Sequence, residues 1–218
     1  MNLDFVAVLR QWPLLASGLA WTVALTLLST VFGMVAGILL GWARAARSPA
    51  LRALTGVYVE AIRNTPFIVQ LFFVFFGLPS LGLRLSPAQA SVLAMAANLA
   101  GYSAEIVRAG IQSIPRGQLE AAASLALSTR QSFVHVVLPP ALRRVWPALT
   151  GQIIIVMLGS AVCSQISTPE LSYATYLIAS RSFRSFEAYA IAAVAYLLLA
   201  IAVRQLLARI GKTLAFRS

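Results

Sequence analysis

Residues Leu14 to Trp42 read LLASGLAWTVALTLLSTVFGMVAGILLGW, 29 consecutive positions without a charged side chain. About 20 apolar residues suffice for a helix to cross a bilayer, so this stretch predicts a membrane span rather than a buried core helix. It is too long for the apolar core of a signal peptide, and the segment before it carries Asp4 and a single basic residue, Arg10. It reads as an uncleaved helix. Within it Gly33, Gly37 and Gly41 recur every four residues and form one smooth ridge on which another helix packs closely.

The remainder of the chain extends the same pattern. Of its 218 residues 60% are apolar and 11% charged, and the mean hydropathy is +0.84, whereas soluble domains carry about 25% charged residues. There is too little polar side chain to cover a globular surface. The sequence predicts an all-α membrane protein, a single domain over residues 1–218, with five transmembrane helices near Leu14–Trp42, Leu54–Phe76, Pro87–Ile111, Pro147–Ile166 and Tyr189–Ala208.

The net charge of +11 comes from 16 Arg and one Lys against six acids. In a soluble protein that excess would suggest nucleic acid. Across five spans it sorts by side: the linker with Arg44, Arg47 and Arg52, the segment Arg108 to Arg144 and the tail Arg204 to Arg217 together hold twelve basic residues, against Arg10, Arg84, Arg181 and Arg184 on the other side. Basic residues resist translocation, so the asymmetry places the N-terminus outside and the C-terminus in the cytoplasm, and no nucleic acid partner is needed. Cys163 is the only cysteine and His135 the only histidine, which leaves no cluster to hold a metal.

Between the third and fourth spans lies one long cytoplasmic piece, about residues 112–146. Gly117 to Leu127 has high helix propensity with Glu120 in its first turn, and Ser128 is a cap signal for a second short helix that Pro139-Pro140 ends. Two short surface helices in such a loop suggest a docking element. On the opposite side Thr168 and Pro169 predict the cap and first position of another helix.

Two spans carry polar stripes. At 100° per residue, Ser91, Asn98, Tyr102, Glu105, Arg108 and Gln112 share a face of the third span, while Glu60, Arg63, Asn64 and Gln70 cluster on the second, with Pro66 kinking the helix among them. Such faces meet protein or water, either as interhelical hydrogen bonds or as the lining of a solute path. Glu60 and Arg63 stand at i, i+3 and read as an ion pair. The serines have no base beside them and no phosphate-cradling glycine loop is present, so neither a hydrolase nor an ATPase site is legible.

The cytoplasmic loop resembles the EAA loop of permease subunits of bacterial ABC importers. The family pattern of E-A-A, three residues, G, nine residues and I-x-L-P is matched in spacing by Glu120-Ala121-Ala122, Ala126, Val136, Leu138 and Pro139, with Ala in the glycine place and Val for Ile. Glu60-Ala61-Ile62-Arg63-Asn64-Thr65-Pro66 followed by Gln70-Leu71-Phe72, the stretch from Asn98 through Tyr102, Ala104, Glu105 and Arg108, and Ser180-Arg181-Ser182-Phe183 are similar to segments of the polar amino acid branch.

This resemblance implies a type I importer permease in a bacterial inner membrane. Its partners would be a second permease subunit as homodimer or heterodimer, two cytoplasmic ATPases, a periplasmic substrate-binding protein and membrane lipid, with an amino acid as substrate. No cofactor belongs to this chain, since ATP and Mg would be bound by the ATPase. Gly117, Glu120, Ala121, Ala122 and Ala126 would form the ATPase-coupling surface. Asn64, Gln70, Asn98, Tyr102, Glu105 and Ser160 would line the substrate path. One departure bears on substrate: relatives commonly carry an acid where this chain has Gly159. A stand-alone secondary transporter or channel is the alternative. It needs carboxylates near midplane, whereas Glu60 and Glu105 lie toward the cytoplasmic ends of their spans.

Overall fold

A computed structural model describes residues 3–45 and 48–215, so Arg47 and Arg217 of the basic asymmetry lie outside the described residues. The described chain is helical almost throughout. A short helix α1 (Phe5–Leu9) leads into α2 (Trp12–Ala45); α3 (Pro49–Arg63) and α4 (Phe67–Phe72) follow, α4 passing through a π turn at Phe73–Gly77 and a 3-10 turn at Leu78–Leu81. Then come α5 (Pro87–Gln112), α6 (Arg116–Ser124), α7 (Thr129–Gln131), α8 (Leu138–Gly159), α9 (Leu171–Ser182) and α10 (Ser185–Ala215).

Among the described residues four segments are long and apolar enough to cross a membrane: Trp12–Arg44, Pro87–Gln112, Thr129–Ile166 and Ser185–Thr213. The fifth expected span is not one straight helix. Pro49–Arg63 and Phe67–Leu81 meet at 109°, a far sharper break than a kink, because Pro66 has no N–H to bond the Ile62 carbonyl and its ring excludes a helical turn before it. Five spans result only if this bent pair counts as one.

The α2 ridge determines the central packing. A Cβ built on Gly33 would stand 2.8 Å from the Ala96 carbonyl oxygen, on Gly37 2.6 Å from Ser103 Cβ, and on Gly41 2.8 Å from the Ala104 carbonyl oxygen. The backbones of α2 and α5 are thus closer than any side chain at those positions allows. Around this seam a core forms from Leu25, Leu71, Met95, Leu99, Ile153 and Val156. The outer faces of α2 and α10 present large apolar side chains such as Phe32, Leu39, Leu197 and Leu198, as lipid contact requires.

Three local expectations change. Pro139-Pro140 do not end a helix: they sit in the first turn of α8, where a missing N–H costs no bond, and a π turn at Ser132–Val137 carries the chain into it. The helix in the long loop begins at Arg116 and ends at Ser124, which puts Glu120 beyond the first turn. The cap of α9 is Glu170, whose carboxylate accepts from the N–H groups of Ser172 and Tyr173 at 2.9 and 2.8 Å. Thr168 instead bonds Ser91 at 2.8 Å. A carboxylate offers more acceptor positions than a hydroxyl and takes the cap. Burial pushes the Glu170 carboxyl above its ordinary range, against the lowering effect of bonds from Tyr196 and these two N–H groups.

Candidate functional site

The break at Pro66 leaves backbone groups that a continuous helix would satisfy. Gln70 supplies the missing partner: its Nε2 donates to the Ile62 carbonyl at 2.7 Å and to the Thr65 carbonyl and hydroxyl at 3.0 Å. Its Oε1 accepts from Asn98 Nδ2 at 2.9 Å, which ties the break to α5. These bonds, that to the part-buried Ile62 carbonyl above all, replace the one that Pro66 cannot make, so Gln70 acts as the staple of the bend.

Beside the staple opens a cleft of about 580 Å³ whose polar walls are Arg63, Asn64, Thr65, Asn98, Tyr102 and Gln152, closed by Pro66, Phe67 and Ile155. A smaller cavity of about 150 Å³ adjoins it, sharing Phe67, Asn98 and Ile155 and reaching Gly159. A Cβ on Gly159 would meet no atom within 4 Å. Three elements therefore bound the cleft: the α3–α4 break, α5 and α8.

Glu60 and Arg63 do not form the ion pair that their spacing suggested. Among the described residues Glu60 accepts from Asn64 Nδ2 at 2.9 Å, while the Arg63 guanidinium lies 5.9 Å from the centre of the Tyr102 ring. A side chain four residues on shares its face as well as one three residues on, and Asn64, at the helix end, also reaches the Glu60 carbonyl. Glu105 is not a wall of the cleft. Its carboxylate is held by Arg108 and, at 2.8 Å, by Arg44 of α2. Ser160 is fully buried and likewise off the cleft wall.

The stripe on α5 thus divides by depth. Ser91 makes a buried hydrogen bond to Thr168 in the turn before α9, Asn98 and Tyr102 face the cleft, and Glu105, also held by Arg108 of its own helix, bolts α5 to α2 through Arg44. Gln152 and Thr65 were not singled out from the sequence. Gln152 stands alone among apolar neighbours on α8, a signal too sparse to read without knowing which face turns inward.

The loop between α5 and α8 ends its helix by a backbone device. Leu127 N–H bonds the Ala122 carbonyl at 3.1 Å and Ala126 N–H the Ala123 carbonyl at 2.9 Å, the paired closure of a Schellman motif. It requires a left-handed residue, and Ala126 adopts φ of +54°. The sharp turn exists with alanine in the glycine place. Gly117, Glu120 and Ala121 are exposed, whereas Ala122 is 2% exposed and turned into its own subunit.

Residues 33–214 match the sequence profile of the binding-protein-dependent transport system inner membrane component family. The chain is 38% identical to the L-cystine transport system permease protein TcyB of Bacillus subtilis (strain 168) over 160 residues, covering 73% of this chain and 68% of that one. It is 34% identical to the glutamine transport system permease protein GlnP of Escherichia coli (strain K12), covering 97% and 98%. Its fold matches a chain from the crystal structure of an amino acid ABC transporter with histidines at a TM-score of 0.90 and 33% identity, covering 98% and 100%. The methionine transporter MetNI, at 23% identity and a TM-score of 0.78, shares the fold. With a family profile that spans residues 33–214 and a relative 34% identical over nearly its whole length, the chain belongs to the family of binding-protein-dependent transport system inner membrane components.

Proposed function

We propose that this chain is the permease subunit of an ABC importer for an amino acid or close analogue, that the cleft between the α3–α4 break, α5 and α8 is its solute path, and that the loop around α6 couples it to a separate ATPase. The observation that carries the reading is connectivity. The α6 segment hangs between the end of α5 and the start of α8, two of the three elements that bound the cleft. A push on the loop is delivered to both walls at once. Rigid helices transmit such a displacement as a tilt rather than absorb it.

In this arrangement the bent pair counts as one span, the N-terminus is periplasmic and the C-terminus cytoplasmic, in a bacterial inner membrane. Exposed Gly117, Glu120 and Ala121 contact the ATPase, and Ala122 and Ala126 shape the helix that presents them. A second permease subunit completes the path, and a periplasmic binding protein delivers the substrate. ATP and Mg are bound by the ATPase, which performs the hydrolysis.

The test is uptake of radiolabelled L-cystine, L-glutamine and L-arginine by proteoliposomes holding the permease with and without its ATPase. Uptake that needs ATP and the ATPase supports the reading. Uptake driven by an ion gradient with the permease alone would replace it by a secondary transporter.

A further inference from the structure

We propose that Arg63 is the residue that receives the carboxylate of the transported solute, and that the cleft selects solutes with a free carboxylate and an uncharged side chain. The inference rests on the cleft being the solute path. Its walls hold six polar side chains; among the described residues only Arg63 of these is charged, and no carboxylate lines either the cleft or the adjoining cavity.

The acids on neighbouring turns are occupied. Glu60 is bonded by Asn64, and Glu105 by Arg44 and Arg108. Among the described residues Arg63 makes no ion pair: its guanidinium carbon lies over the Tyr102 ring, 5.9 Å from the ring centre, and the Glu105 carboxylate, held by its two other arginines, acts on it only through space. Such a guanidinium matches a carboxylate through two parallel hydrogen bonds.

The other end of the space sets the complement. Beyond Asn98 the small cavity is walled by Phe67, Ile155, Val156, Val162 and Gly159. It can take an apolar or amide-bearing side chain. A cationic one would meet no counter-charge there while sharing the cleft with Arg63, and like charges in a partly dehydrated space repel.

The assembled permease and ATPase complex, carrying Ile155→Cys in a Cys163→Ala background, tests this by the rate at which a charged maleimide labels the cleft. The probes are L-glutamine, L-arginine and the α-carboxamide of L-glutamine. L-Glutamine is expected to slow labelling, and the carboxamide and L-arginine to need roughly tenfold higher concentration for equal protection, a factor that corresponds to about 1.4 kcal/mol.

Arg63→Gln should erase the difference between acid and carboxamide, and Arg63→Lys, which keeps the charge without the paired hydrogen bonds, should keep part of it, which separates lost charge from lost folding. Gly159→Asp should bring L-arginine to the level of L-glutamine. Equal protection by acid and carboxamide with Arg63 intact, or discrimination that survives Arg63→Gln, overturns the assignment while leaving the cleft as the solute path. No protection by any probe removes the path itself, and the assignment with it.

Discussion

Ala126 holds a backbone conformation that its own side chain opposes. At φ of +54° an L-residue is strained by roughly 1–2 kcal/mol, and glycine would relieve this at an entropic cost of about 0.5–1 kcal/mol. Ala126→Gly should therefore stabilise the end of α6 by up to about 1 kcal/mol. Hydrogen exchange at Leu127, whose N–H closes the turn on Ala122, should slow accordingly. Ala126→Val should do the reverse, since a β-branched side chain is more crowded in this conformation. Faster exchange in the glycine variant would mean that the turn is not limited by strain at this residue.

Between elements, the glycines of the α2–α5 seam and the open glycine of α3 follow opposite rules. At the seam, tolerance is set by the partner helix: Gly37→Ala places a Cβ 2.6 Å from Ser103 Cβ and should cost about 1–3 kcal/mol by overpacking. Gly56 lies in α3 with nothing within 4 Å of the added carbon, so Gly56→Ala should be neutral or stabilising by up to about 1 kcal/mol through helix entropy. Thermal unfolding of the purified protein in detergent compares the two. Equal effects would show that the close approach contributes no constraint. The glycine spacing predicted such a seam, but nothing in it named α5 as the partner.

Across the whole molecule, the coupling surface is decided by which side of α6 is turned out. Ala121 is exposed and Ala122 buried, so a bulky residue should act differently at each. Ala121→Trp should leave folding and membrane insertion intact and lower uptake and transport-stimulated ATPase activity by about tenfold or more. Ala122→Trp should destabilise the loop itself, because the side chain has no room against its own subunit. Co-purification of the ATPase, uptake and melting temperature of the two variants decide the matter. Full coupling in Ala121→Trp would move the contact elsewhere on the loop.

What the sequence by itself determined is whatever depends on local pattern: apolar length marks the spans, glycine spacing the ridge, and the motif spacing the loop with its short helix. The cap at Ser128 is equally local, and the structure adds Gln131 as its reciprocal partner. The tertiary structure alone decided how polar side chains share partners. Glu60 has both Arg63 and Asn64 within reach along one helix, and the carboxylate of Glu105 is held by Arg44, 61 residues away in sequence. Gln70 read as a pathway residue because its task, replacing a bond that Pro66 cannot make, exists only once the chain has turned through 109°. Periodicity reports which residues share a face. What that face meets depends on contacts between segments far apart in sequence, and those set which charge is paired and which, like Arg63 beside the Tyr102 ring, is left on the cleft wall.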